Sequence, residues 1–280
     1  MVFQLAGIFF GLASAVVWGT GDFAGGYASR RHSQYAVLFV AALAGLVVLV
    51  LAAVAAREAL PPLRGSLWAL LGGLGGALGI AAFYRALSLG HSAVVAPVAG
   101  VIGAAVPVLV SGLVTGWPAP NKLAGFALAL VGIWLVSMAP RAQAGALRRA
   151  FGPACLAGIG FGGFLVCLGL VGPGWIFTPL ILARSMTVMV GLVAVISQRI
   201  PLPSITSSRW ALVAGLLDAG GNLFYILSRQ FTRLDVAAVL SSLYPAATVC
   251  LSSLLLKEKI SRSQWAGLGV CLAAIAFITV

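Results

Sequence analysis

The chain has 280 residues, of which 61% are hydrophobic and only 8% charged, with a net charge of +12 and a mean hydropathy of +1.11. This excludes an ordinary globular protein, where about a quarter of residues are charged, and a spanning barrel, which would alternate in strands of about ten residues. The positive charge does not signal nucleic acid as it would in a soluble chain, because the basic residues sit mainly in turns between apolar blocks, as topology signals and headgroup contacts.

Breaks at charges, prolines and turn residues predict ten helices, at 4–28, 34–56, 66–88, 92–115, 122–139, 151–171, 176–197, 210–231, 235–256 and 264–280. Most are near the length of about 20 apolar residues that spans a bilayer. The first lacks a basic n-region and runs too long for a secretory signal. Helices three and six are rich in glycine, and small residues four apart let helix backbones approach closely in lipid. Gly158, Gly160 and Gly163 match the spacing G-x-G-x-x-G, but no strand precedes them and no acidic residue follows at the required distance, so close packing is the better account. Pro97 and Pro107 in helix four and Pro245 in helix nine should free backbone carbonyls inside a span. Lipid tolerates that only where the carbonyls face protein or a water-filled cavity, so helices four and nine are candidates to line a route. Cys155, Cys167, Cys250 and Cys271 lie inside predicted helices at no metal-ligand spacing and read as packing residues.

The stretch Arg141–Arg149 is the one linker of soluble character, and it divides the chain into 1–140, a linker at 141–150, and 151–280. Sliding the sequence by 142 residues puts Gly79 on Gly221, Phe83 on Tyr225, Leu109 on Leu251 and Gly125 on Gly267. Five helices per repeat is an odd number, so the second repeat must enter the membrane from the opposite side. The expected fold is therefore an all-α polytopic membrane protein, with ten transmembrane helices as two inverted five-helix repeats around a central cavity.

Asp22, Arg85, Arg184 and Asp218 fall within predicted helices. A charge at bilayer depth costs about 2.5–3.5 kcal/mol on insertion scales, so such groups normally face a cavity or a partner. Asp22 and Arg85 lie at a similar depth, roughly 28 Å along parallel helices at 1.5 Å per residue, so they are expected to pair or approach each other near one membrane face. Arg184 and Asp218 sit on antiparallel neighbours at different depths and are not expected to pair. Around these charges lie Trp18, Phe83, Tyr84 and His91 in the first half, with Pro97 nearby. The second half supplies Phe161, Asn222, Tyr225 and Tyr244. Such a lining suits an organic solute with an apolar body and a charged head. Aromatics near helix ends also form interfacial belts, and a histidine at a turn is more often a surface residue than a proton relay. Two histidines in turns, with no paired carboxylates, metal cluster or Ser/His/Asp set, give no support to an enzyme. No cofactor and no metal are expected.

Trp18-Gly19 in helix one, Pro245 in helix nine, Glu258 in the next turn, and Gln264 with Gly267 opening helix ten resemble the EamA-type ten-helix exporters of the drug/metabolite transporter superfamily. The first half departs from that ending, with Gly116 and Lys122 at the corresponding positions. The resemblance implies a multi-pass protein of the bacterial inner membrane that exports small metabolites by alternating access. Among such exporters the aromatic residues with one acid and one base look most like the amino-acid exporters, including the YddG-type exporters of aromatic amino acids. Exporters of lipophilic cations, antiporters of phosphate-bearing metabolites and a non-transporting membrane scaffold are the alternatives. The implied partners are the solute and membrane lipids, with no nucleic acid, and a monomer is the expected form. Turns after odd-numbered helices carry most of the basic residues, which by the positive-inside rule places both termini outside. The resemblance implies the reverse, and sidedness is left open between the two.

Overall fold

The computed structural model describes residues 2–89, 92–138, 144–204, 207–257 and 259–279; within them, the side chains of 2, 3, 84, 87–89, 92–94 and 144–149 are not described. The described residues form helices and no strands: α1 (Val2–Ser29), α2 (Gln34–Ala56), α3 (Leu63–Leu89), α4 (Ser92–Thr115), α5 (Pro120–Ser137), α6 (Ala144–Gly169), α7 (Phe177–Ser197), α8 (Arg209–Phe231), α9 (Leu234–Ser241), α10 (Tyr244–Leu256) and α11 (Arg262–Thr279). They make ten candidate membrane spans, with α9 and α10 sharing one span over Leu234–Leu256.

Local chemistry explains where the helices stop. Arg57 and Lys257 end α2 and α10 in the left-handed conformation, each returning its N–H to a carbonyl of the last turn. Gly116, with φ +82°, turns the chain between α4 and α5. Pro245, in the first turn of α10, has no N–H to give, and the ninth span breaks after Ser241, as the sequence predicts for this helix. Pro97 and Pro107 behave otherwise. They lie inside a continuous α4 and are fully buried. Neighbouring helices enclose both rings, one of the two surroundings that a proline inside a span allows. The stretch read as a linker also shortens, since α6 already begins at Ala144.

The packing follows the repeat. α1 lies along α8 and α3 along α6; α2 packs on α7 and α8, α3 on α7, and α5 on α11. Gly73 of α3 presses on the backbone of Ala183 in α7, and Gly215 of α8 presses in the same way on Ala41 in α2. Each of these residues stands 142 positions from its counterpart. Serine hydroxyls add cross-links: Ser14 donates to Gly221 O at 2.8 Å and Ser228 to Gly7 O at 2.7 Å. Large apolar side chains such as Phe9, Leu51, Val54, Leu113 and Leu254 are turned outward, as lipid-facing positions require.

Ten spans return the chain to the face on which it starts. We call that side, which holds the starts of α1, α3, α5 and α7, the terminal face, and the opposite side the linker face.

Candidate functional site

Trp18 of α1 lies flat on α8 where Gly221 presents only backbone; a Cβ there would collide with the indole. The ring stacks near Tyr225, with centroids 6.2 Å apart, and meets Tyr244 edge-on at 6.4 Å. Gly19 explains the second half of the Trp-Gly pair. A Cβ on it would stand 2.6 Å from both Tyr244 O and Ala247 Cβ, so glycine is what lets α1 approach α10. Thr248 Oγ1 then reaches Gly19 O at 3.2 Å.

Behind Trp18 the space between the two helix pairs is shut toward the terminal face. Tyr225 is fully buried, and its hydroxyl donates to Leu165 O on α6 at 2.5 Å. Closer to that face, Gly169 of α6 packs against Leu234 at the start of α9. A second tie lies at the edge. Glu58, after α2, accepts hydrogen bonds from Ile176 N (3.1 Å), Phe177 N (2.9 Å), Thr178 N (2.7 Å) and Thr178 Oγ1 (2.8 Å). Its charge caps the otherwise unpaired N–H groups and positive dipole end of α7. Toward the linker face, by contrast, α1 makes no comparable packing on α3 or α4 among the described residues. The gap this leaves on the linker side of Trp18 is the candidate cleft, with Trp18 half-buried at its base and Tyr225 fully buried beneath it.

Asp22 stands in this cleft one turn beyond Trp18, exposed and without an ion-pair partner among the described residues. It lies within electrostatic reach of Asp218 and Tyr244. Asp218 is paired with Arg184 of α7, whose side chain is only 10% exposed against 43% for Asp218. Gly45 of α2 makes room for that guanidinium, since a Cβ there would sit 3.2 Å from Nη2. Asn222 donates from Nδ2 to Asp218 O at 2.6 Å, while its buried Oδ1 has no hydrogen-bond partner among the described residues. The layer therefore offers one compensated carboxylate, one uncompensated carboxylate and a spare amide acceptor beside two aromatic faces. That set can hold a cationic or ammonium group.

The two sequence expectations about charge pairing are both revised. Asp22 and Arg85 do not form an ion pair, because α1 packs on α8 and α3 on α6, so equal depth puts them on different walls. Arg85 is exposed near the linker face. Arg184 and Asp218 do pair. Their Cα atoms differ in height by roughly 8 Å from the helix rise, and the long arginine stem spans that gap. Phe83 and Phe161 meet across α3 and α6 with centroids 6.0 Å apart, Phe161 resting on Gly79. Tyr225 lies in the floor with its hydroxyl committed to α6, and Pro97 is enclosed by helices; neither offers a polar group to the cleft. The side chain of Tyr84 and the whole of His91 fall outside the described residues, as does Glu258 in the turn before α11.

Sequence reasoning missed Glu58 as a structural tie, because a lone acid in a turn reads as solvated. Its signal is Thr178 near the start of the apolar run 176–197, a second polar group for the same carboxylate. No group of three His, Cys, Asp or Glu that could hold a metal occurs among the described residues. The cysteines are free, with Cys271 buried in the α5–α11 contact beside Gly132.

With this architecture in hand, the comparisons are direct. The model of the EamA-like transporter family matches residues 5–138 and again 150–280. The chain belongs to that family and is a multi-pass membrane transporter built from two repeats. No curated protein matches it. A crystal structure of another protein superposes with a TM-score of 0.73 over 97% of this chain and 95% of that one, at 19% identity, which shows a shared fold.

Proposed function

We propose that the protein exports amino acids, aromatic ones included, across a bacterial inner membrane by alternating access. The observation that supports this reading is the layer above the Trp18–Tyr225 floor. There Asp22 stands uncompensated beside Asn222 Oδ1, with the faces of Trp18 and Tyr244 around it. An ammonium group would settle between Asp22 and the rings, and the apolar body would lie along Trp18. The carboxylate of a zwitterion would turn toward the basic groups, Arg184 behind Asp218 or Arg85 nearer the linker face.

A second reading draws on the same geometry. Because Asp22 is not neutralised by Arg85, a lipophilic cation would be held at the carboxylate alone, with no anionic end required. Uptake into liposomes carrying the purified protein separates the two, using labelled amino acids, a lipophilic cation and a sugar phosphate. Amino-acid flux should fall at least tenfold in both Asp22→Asn and Arg85→Gln. Flux of the cation alone, abolished by Asp22→Asn and indifferent to Arg85→Gln, would replace the amino-acid reading with the second one. A panel in which nothing enters would sink both.

A further inference from the structure

A cavity of about 420 Å³ lies at the terminal face, beyond the floor and apart from the cleft. Gln4 of α1, Lys122 of α5 and the α8–α9 junction from Arg229 to Arg233 wall it, and no carboxylate is among its lining residues. The charges around it are not equivalent. Arg233 is held by the fully buried Asp235, with Nη2 to Oδ2 at 2.9 Å, and donates Nη2 to Gly116 O at 2.6 Å. That cation is neutralised and serves as a strut. Lys122 has no acidic partner among the described residues. Arg229 donates Nη1 to Thr232 O at 3.1 Å, but its Nε is buried without an acceptor.

A cation in the last turn of α8 is accounted for by the helix dipole. That does not account for a buried guanidinium N–H left without an acceptor, which proteins seldom tolerate. Nor does it explain why Arg229 also borders a second cavity, of about 200 Å³, lined by Gly169 and Trp175. Arg229 thus forms part of the partition where the end of α6 meets α8, at the closed end of the molecule.

We propose that Arg229 and Lys122 form an oxyanion site, for a carboxylate or a phosphate, in this vestibule. The anion would lie between the guanidinium of Arg229 and the ammonium of Lys122, joining α8 of one repeat to α5 of the other while the terminal face is shut. Polar side chains at Gln4, Gln230 and Thr232 complete the wall. The site does not depend on which solute crosses the cleft.

The test is binding, not transport. The full chain in nanodiscs of pure phosphatidylcholine is titrated with labelled inorganic phosphate at low salt. The expected result is saturable binding of one phosphate per chain, weakened tenfold or more in Arg229→Gln, as loss of a charge-assisted hydrogen bond implies. Lys122→Gln should weaken it several-fold. Arg229→Lys, which keeps the charge, should retain most of the binding, and Arg209→Gln at the linker face should leave it unchanged. Nanodiscs containing phosphatidylglycerol identify the source of the anion. If free phosphate fails to bind but native mass spectrometry finds phosphatidylglycerol retained by the parent and lost from Arg229→Gln, the oxyanion is a lipid headgroup and the site stands. If neither probe binds, or binding ignores Arg229, the site does not exist.

Discussion

The two faces of the molecule are built from equivalent residues yet held by different bonds. Gly79 and Gly221 are counterparts 142 residues apart, and each takes an aromatic ring from the neighbouring helix, Phe161 in one case and Trp18 in the other. Their partners one turn on are Phe83 and Tyr225, which close the same ring pair. Only Tyr225 has a hydroxyl, and it is that hydroxyl which ties α8 to Leu165 O of α6. The edges differ likewise. Glu58 caps α7 at the terminal face, whereas its counterpart is Ile200, and the N-terminus of α2 receives no side-chain cap from Ser33. The linker-face edge has instead a contact of His32 Nε2 with Ser207 O at 3.1 Å. Apolar packing near the pseudo-twofold is thus nearly symmetric, while a few polar bonds differ between the two ends.

The largest effect is expected from Glu58. Replacing it with Ala leaves several α7 N–H groups uncapped at once, which should remove about 2 kcal/mol from the closed terminal face. Thermal unfolding in detergent should show a lower midpoint, and cysteines introduced at that face should react faster with a thiol reagent. An unchanged reaction rate would mean that the cap stabilises α7 without holding the gate.

A smaller effect sharpens the comparison. Tyr225→Phe makes the two ring pairs alike by deleting one hydrogen bond, worth about 1 kcal/mol, which corresponds to a roughly fivefold shift in population toward opening of the terminal face. Distances between spin labels placed across each face should report that shift. No change would assign closure to the apolar contacts, Gly169 against Leu234 among them.

The smallest effect belongs to a residue outside the comparison. Gln264 Oε1 accepts from Ser261 N at 2.9 Å and Ser261 Oγ from Gln264 N at 3.3 Å, a reciprocal capping box on α11. Gln264→Ala should cost about 0.5–1 kcal/mol of stability and leave label distances and transport unaltered. A clear change in transport would give this family motif a role beyond folding.

The positions of the ten spans were legible because lipid admits so few solutions. A run of about 20 apolar residues ended by charge, glycine or proline has little else it can be. The break before Pro245 was legible for the same reason, since a missing N–H is a property of one residue. At Pro97 and Pro107 the sequence left two surroundings open, because neighbouring helices, not the prolines, determine whether a freed carbonyl meets protein or water. In the site, Asp22 and Trp18 could be picked out as a charge and a ring at depth, but their partners could not.

The sequence by itself determined a membrane fold, its ten spans, the repeat and its inversion, since composition, period and the odd helix count are properties of the chain taken alone. Only the tertiary structure decided which charges meet, which end is closed and where Arg229 is left without an acceptor. Those outcomes depend on which helix lies beside which, and residues at one depth become neighbours only when their helices share a wall. Arg184 reaches Asp218 because Gly45 leaves the way open, and Asp22 is kept from Arg85 because α1 lies along α8 and α3 along α6.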